Sequence, residues 1–169
     1  VPFAGNFVNF VVKNLHTFLL IFILGGSVFS FAQKTSQIEI LNANSFEFDQ
    51  SLGNNAKRLI GNVQFKHDDA LMFCDSAYFY SETNSMDAFS RVRITQGDSL
   101  QLFGDSLNYS GATKKALLRG NIRLINTDVT LTTNYLDYDR ANNVAYYFGG
   151  GTLISKKENN TLTSKQGYY

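Results

Sequence analysis

The chain has 169 residues and a formal net charge of +1, room for one domain and a terminal appendage. Residues 1–32 hold one charged side chain, Lys13, so the remainder balances at 14 basic against 14 acidic residues. No basic block is left to track a phosphate backbone, which argues against a nucleic-acid partner.

The N-terminal run KNLHTFLLIFILGGSVFSFAQK has the three parts of a secretory signal. Lys13 gives the positive start, Leu15 to Leu24 the apolar core, and Ser30-Phe31-Ala32 the small residues a signal peptidase reads. Cleavage is expected after Ala32, with residues 1–12 (VPFAGNFVNFVV) an over-extended start. The alternative is an uncleaved anchor, but the apolar core of about ten residues falls short of the roughly 20 that span a bilayer. The exported domain is then 33–169. Its one cysteine, Cys74, cannot form an internal disulfide, so the fold rests on its core.

That domain is a repeat. FCDSAYFY (73–80), FGDSLNYS (103–110) and TTNYLDYD (132–139) align, with Phe79, Tyr109 and Tyr138 spaced 30 and 29 residues apart. Met72, Leu102 and Leu131 follow the same spacing, as do Ala77, Leu107 and Leu136. NANSFEFD (42–49) is an earlier copy, with Phe46 and Phe48 at the matching places. Each unit opens on a short alternating run: Val63-x-Phe65, Val92-x-Ile94, Ile122-x-Leu124. A polar turn follows, then a second run. Period-2 alternation between turn clusters of Gly, Asn and Asp predicts half-buried strands, and an all-β domain.

Met72 and Phe79 are seven residues apart, yet both columns are apolar in every copy. Strict alternation puts them on opposite faces, so a bulge or corner must lie between, at Cys74-Asp75, Gly104-Asp105 and Thr133-Asn134. A bend repeated at one place per unit gives two facing sheets. It also answers whether Cys74, beside Asp75 and Ser76, is a nucleophile. Its equivalents are Gly104 and Thr133, so the position reads as a small-residue corner.

Other candidate chemistry is weak. His67-Asp68-Asp69 lacks the converging ligands of a metal site and reads as an exposed polar turn. The aspartates cluster in turns, unlike a carboxylate pair across a cleft. GGG at 149–151 lacks the strand-to-helix setting of a phosphate loop and reads as a flexible strand junction. No enzyme, metal or cofactor signature emerges. The inward columns are Val63, Phe65, Met72, Ala77, Phe79, Val92, Ile94, Leu102, Leu107, Tyr109, Ile122, Leu124, Leu131, Leu136 and Tyr138. They either fill a core or line an apolar groove that admits acyl chains.

The units GNVQFKHDDALMFCDSAYFY, RVRITQGDSLQLFGDSLNYS and GNIRLINTDVTLTTNYLDYD resemble the OstA-like family, the LptA-type lipopolysaccharide-transport group that also includes the periplasmic domain of LptD. The resemblance covers about residues 38–169. It implies an antiparallel β-jellyroll, V-shaped and open at both ends, in the periplasm or associated with the outer membrane. It implies no catalysis and no cofactor. The ligand it implies is lipopolysaccharide, its acyl chains held between the sheets at the columns named above. At about 0.8 kcal/mol per buried methylene, shielding some ten of them gives roughly 8 kcal/mol. The implied partners are other jellyroll proteins added at edge strands, and copies of the chain itself head to tail. Leu162 and Tyr169 match Leu131 and Tyr138, so the chain is expected to stop inside a repeat, truncated at its C-terminus. Two rival expectations are a non-catalytic structural scaffold of the cell envelope and a carbohydrate-active parallel β-helix.

Overall fold

The computed structural model describes residues 36–48 and 56–169; the proposed signal segment 1–32 lies outside the described residues. The strands are β1 (Glu39–Asn42), β2 (Ser45–Phe48), β3 (Ala56–His67), β4 (Ala70–Tyr80), β5 (Ser85–Gln96), β6 (Leu100–Ser110), β7 (Lys115–Ile125), β8 (Val129–Asp139), β9 (Val144–Ser155) and β10 (Thr161–Tyr168). They pair antiparallel in sequence order from β3 to β10, with β1 and β2 both on the free side of β3. Antiparallel pairing of successive strands excludes the parallel β-helix.

Each long strand is broken near its middle. Pairing slips between Phe73 and Ser76, between Phe103 and Ser106, and between Thr133 and Tyr135. These are the corner positions expected from the sequence. The backbone distortion itself sits mainly on the partner strands. Gly61-Asn62, Ser90-Arg91, Gly120-Asn121 and Gly149-Gly150 all have positive φ, between 47° and 100°. Gly and Asn tolerate that region, which explains the recurring Gly-Asn dipeptide. The GGG run is therefore the corner of β9, not a junction between strands.

The corners line up into one fold line, and side chains of the even strands brace it. Asp75 accepts hydrogen bonds from Ser90 Oγ and from the Arg91 guanidinium (Nε at 2.9 Å), and Asp105 accepts from Asn121 Nδ2 at 2.7 Å. The Arg91 hydrogen bond, with that from Ser90, holds the Asp75 carboxyl below its usual range. Gly61 and Gly120 lie against Asn44 and the Asp105 carboxylate, where a Cβ has no room.

The fold line divides the sheet into two halves facing one another. On one half the inward row runs Phe79, Met86, Tyr109, Ala116, Tyr138, Ala145, with Leu59, Ala77, Ala88, Leu107, Leu118, Leu136 and Tyr147 beside it. On the other it runs Phe65, Met72, Ile94, Leu102, Leu124, Leu131. Phe65 and Phe79 meet across the interior with ring centroids 6.1 Å apart. On the outer face Arg93 lies over Phe73 at 4.1 Å and Arg123 over Phe103 at 5.0 Å, covering aromatic surface with charge.

Cys74 is buried opposite Val63, Gly104 opposite Val92 and Thr133 opposite Ile122. The small residue beside each branched one lets the halves close at the corner. Burial pushes the Cys74 thiol up to about 11. It is a scaffold residue. Iodoacetamide at neutral pH is expected to label it only after the protein is unfolded in urea, as read by mass spectrometry. Rapid labelling of the native protein would contradict this.

Candidate functional site: the interior and its mouth

All fifteen inward positions expected from the sequence are buried in the space between the half-sheets. They form one continuous cluster, joined by Leu59, Met86, Leu118, Ala145 and Tyr147. Strand alternation carries each of them inward, and the corner keeps the columns in phase across the bend. The interior is filled by its own side chains. A surface depression of about 700 Å³ lies instead along the outer side of the fold line, beside Phe103, Asn121, Thr132 and Gly150.

The ends of this interior are unlike its middle. Phe46 and Phe48 project on the inward face of β2, in line with Leu59 and Lys57, and are exposed. Leu162 extends the row of Leu131 and Leu153 onto β10 and is 58% exposed. Apolar columns thus run out to both ends of the sheet. At the C-terminal end Tyr147 is buried over Gly151 and Gly167, where no Cβ fits, and its hydroxyl bonds Ser164 Oγ at 2.7 Å.

Opposite the fold line, the hairpin tips of the two halves form the mouth of the wedge. One rim is built from the tips 81–84, 111–114 and 140–143, tied by Gly111 N to Asn84 O at 2.8 Å and Arg140 N to Lys114 O at 3.1 Å. The other rim carries His67, Asp68, Asp69 and Gln96. Lys114 Nζ reaches Asp68 Oδ2 at 2.8 Å, and Arg140 Nη2 reaches Asp69 Oδ1 at 2.9 Å. The Arg140 side chain is 2% exposed while Asp69 is 61% exposed, so the guanidinium is buried and its carboxylate partner is wet. Arg140 also donates from Nε to Gln96 Oε1 at 3.3 Å, from Nη2 to the His67 carbonyl at 3.4 Å, and from Nη1 to the Tyr109 hydroxyl.

Tyr109 has one proton to give. Having accepted from Arg140, it donates to His67 Nδ1 at 2.7 Å. The other ring nitrogen, Nε2, faces Ser36 Oγ at 2.7 Å and the Ser36 carbonyl at 3.1 Å. Burial, the largest influence, pushes the Tyr109 hydroxyl above its ordinary value and keeps it a donor. The segment at Ser36–Ile38 is strapped over the mouth, with Asn84 donating to Ser36 O at 2.9 Å and accepting from Ile38 N at 2.8 Å.

His67 is thus fully buried, and the expectation of an exposed turn there is corrected. The turn is only Asp68-Asp69, and His67 is the last inward position of β3, as strand alternation from Val63 and Phe65 requires. Both its ring nitrogens are engaged by protein groups. Among the described residues no group of three His, Cys, Asp or Glu converges as metal ligands. Sequence reasoning missed Ser36, Gln96, Lys114 and Arg140. The available signal was departure from the repeat: Lys114 has φ 56° where the matching tips carry Asn84 and Asn143.

The hydrogen bond from Lys114, the largest influence, lowers the Asp68 carboxyl from 3.8 to about 2, helped by Ser36. Stability from this pair is therefore complete above pH 3.8 and lost as pH falls through about 2. The pair is partly exposed, so its worth is below about 1 kcal/mol. The stability gap between wild type and Asp68→Asn is expected to be constant from pH 7 to pH 4 and to close towards pH 2, by urea titration. A gap already closed at pH 5 would contradict the assignment.

The comparisons agree on the fold. The crystal structure of LptH from Pseudomonas aeruginosa, described as the LptA-homologous periplasmic component of the conserved lipopolysaccharide transport device, superposes with a TM-score of 0.55 at 16% identity. The match covers 64% of this chain and 79% of that one. No curated protein matches the chain. The profile of the OstA-like protein family matches residues 35–169, all of the folded repeat, and the chain belongs to that family.

Proposed function

We propose that this protein binds lipopolysaccharide in the periplasm and passes it toward the outer membrane, without catalysis. The observation that carries the reading is the unbroken apolar interior of a folded sheet, running to both ends of the domain, in a chain of the OstA-like family. Acyl chains lie between the half-sheets, against the columns from Val63 to Tyr138. The likeness to LptH supports a periplasmic setting, as does the sequence of residues 1–32. Exposed Phe46, Phe48 and Leu162 supply apolar surface at the ends for stacking against another jellyroll or a second copy, by strand addition at the free edge of β10.

A second reading is favoured by one observation, the filling of the interior: a structural module of the envelope with no ligand. Leu107→Trp separates the two. Overpacking costs about 1–3 kcal/mol, which a folded domain survives. With folding verified by circular dichroism, binding of fluorescently tagged lipopolysaccharide is expected to weaken by about tenfold or more. Unchanged binding would remove Leu107 from the groove.

A further inference from the structure

We propose that the polar seam along the mouth is the closure of the lipid entrance: Asp68–Lys114 and Asp69–Arg140 clasp the tips of the two half-sheets, and their parting about the fold line admits acyl chains sideways. This rests on the transport reading above.

The two ion pairs of the seam join residues on opposite rims. Lys114 and Arg140 belong to tips of one half, Asp68 and Asp69 to the tip of the other. These pairs, with the hydrogen bonds of Tyr109 to His67 and of Arg140 to Gln96 and the Ser36 strap, hold the halves closed; the pairs add nothing to either half alone. The filled interior makes some opening necessary, since a chain cannot enter without the inward rows moving apart. The C-terminal end is plugged by Tyr147, and Ile38, itself part of the strap, is buried beside the rim residue Asn84. Beyond Ile38, the mouth is bridged by polar side chains, the two ion pairs and the hydrogen bonds of Tyr109 to His67 and of Arg140 to Gln96.

The charges are also the kind that release. Lys114 and Asp68 keep 40% and 32% of their side-chain exposure, so water competes for both. Exposed pairs of this sort are individually weak. Arg140 is different: it is anchored in its own rim by the Tyr109 hydroxyl and stays hydrogen-bonded when Asp69 leaves. Lys114 is bought at the expense of backbone strain, since it occupies a left-handed position that the equivalent tips give to Asn84 and Asn143. Asparagine would suit the turn better. A lysine there serves its contact with Asp68, not its own hairpin.

The test measures uptake of fluorescently tagged lipopolysaccharide by stopped flow. Lys114→Asn restores the residue of the other tips, so its unfolding midpoint should hold or rise. Its uptake rate is expected to rise about 3- to 5-fold, the weight of one exposed pair on an opening equilibrium. In a second protein, Cys74→Ala with Asp68→Cys and Lys114→Cys, a short bismaleimide bridge across the mouth should abolish uptake, while the same protein unbridged loads at least as fast as wild type. Uptake by the bridged, folded protein at the unbridged rate would overturn the clasp. So would an unchanged rate in Lys114→Asn. If wild type itself takes up no probe, the transport reading fails and the clasp with it. If wild type loads and no variant differs, the clasp alone fails.

Discussion

Gly120→Val is expected to destabilise the protein by about 4 kcal/mol, read as a lower urea midpoint at unchanged slope. Two effects combine. Gly120 has φ 77°, a left-handed conformation that a β-branched residue adopts only under strain. A Cβ there would also run into the Asp105 carboxylate, which is held by Asn121 across the same corner. Gly97→Val is the matched control. Its φ is 55°, but a Cβ would meet nothing within 4 Å. Strain alone should cost it about 1–2 kcal/mol. If both substitutions cost the same, the corner bracing by Asp105 contributes nothing.

Phe65→Ala is expected to cost about 3–5 kcal/mol. Phe65 is fully buried and faces Phe79 across the interior, so truncation leaves a void with apolar walls on both half-sheets. A cavity so lined stays dry and takes up small apolar molecules. The truncated protein should therefore regain part of its thermal stability in the presence of benzene, and wild type should not. A loss below about 1 kcal/mol would mean that the halves do not pack against each other at this point.

Much of this architecture was legible in the sequence because the repeat supplies its own alignment. The columns of Met72, Leu102 and Leu131, and of Phe79, Tyr109 and Tyr138, fixed which side of each strand faces inward. Their odd spacing located the bend. The same comparison showed that Cys74 takes the place of Gly104 and Thr133, and burial of its thiol agrees. What the repeat could not show is whatever differs between copies. The left-handed corner residues were visible as Gly-Asn in β3 and β7 but hidden as Ser90-Arg91 in β5 and Gly149-Gly150 in β9. The seam was hidden more deeply. His67, Lys114 and Arg140 occur once each, and they meet only when hairpin tips far apart in the chain close over the mouth. A search for recurrent residues discards such positions, and tertiary contact alone gives them a role.

The central claim is that the space between the half-sheets receives acyl chains. Native mass spectrometry of the protein with purified lipopolysaccharide, beside lipopolysaccharide stripped of its acyl chains, tests it directly. The account predicts a one-to-one adduct with the intact lipid and none with the stripped one. Equal adducts with both would place binding on the sugar and phosphate and outside the interior. No adduct from folded protein would leave a packed scaffold in place of a carrier.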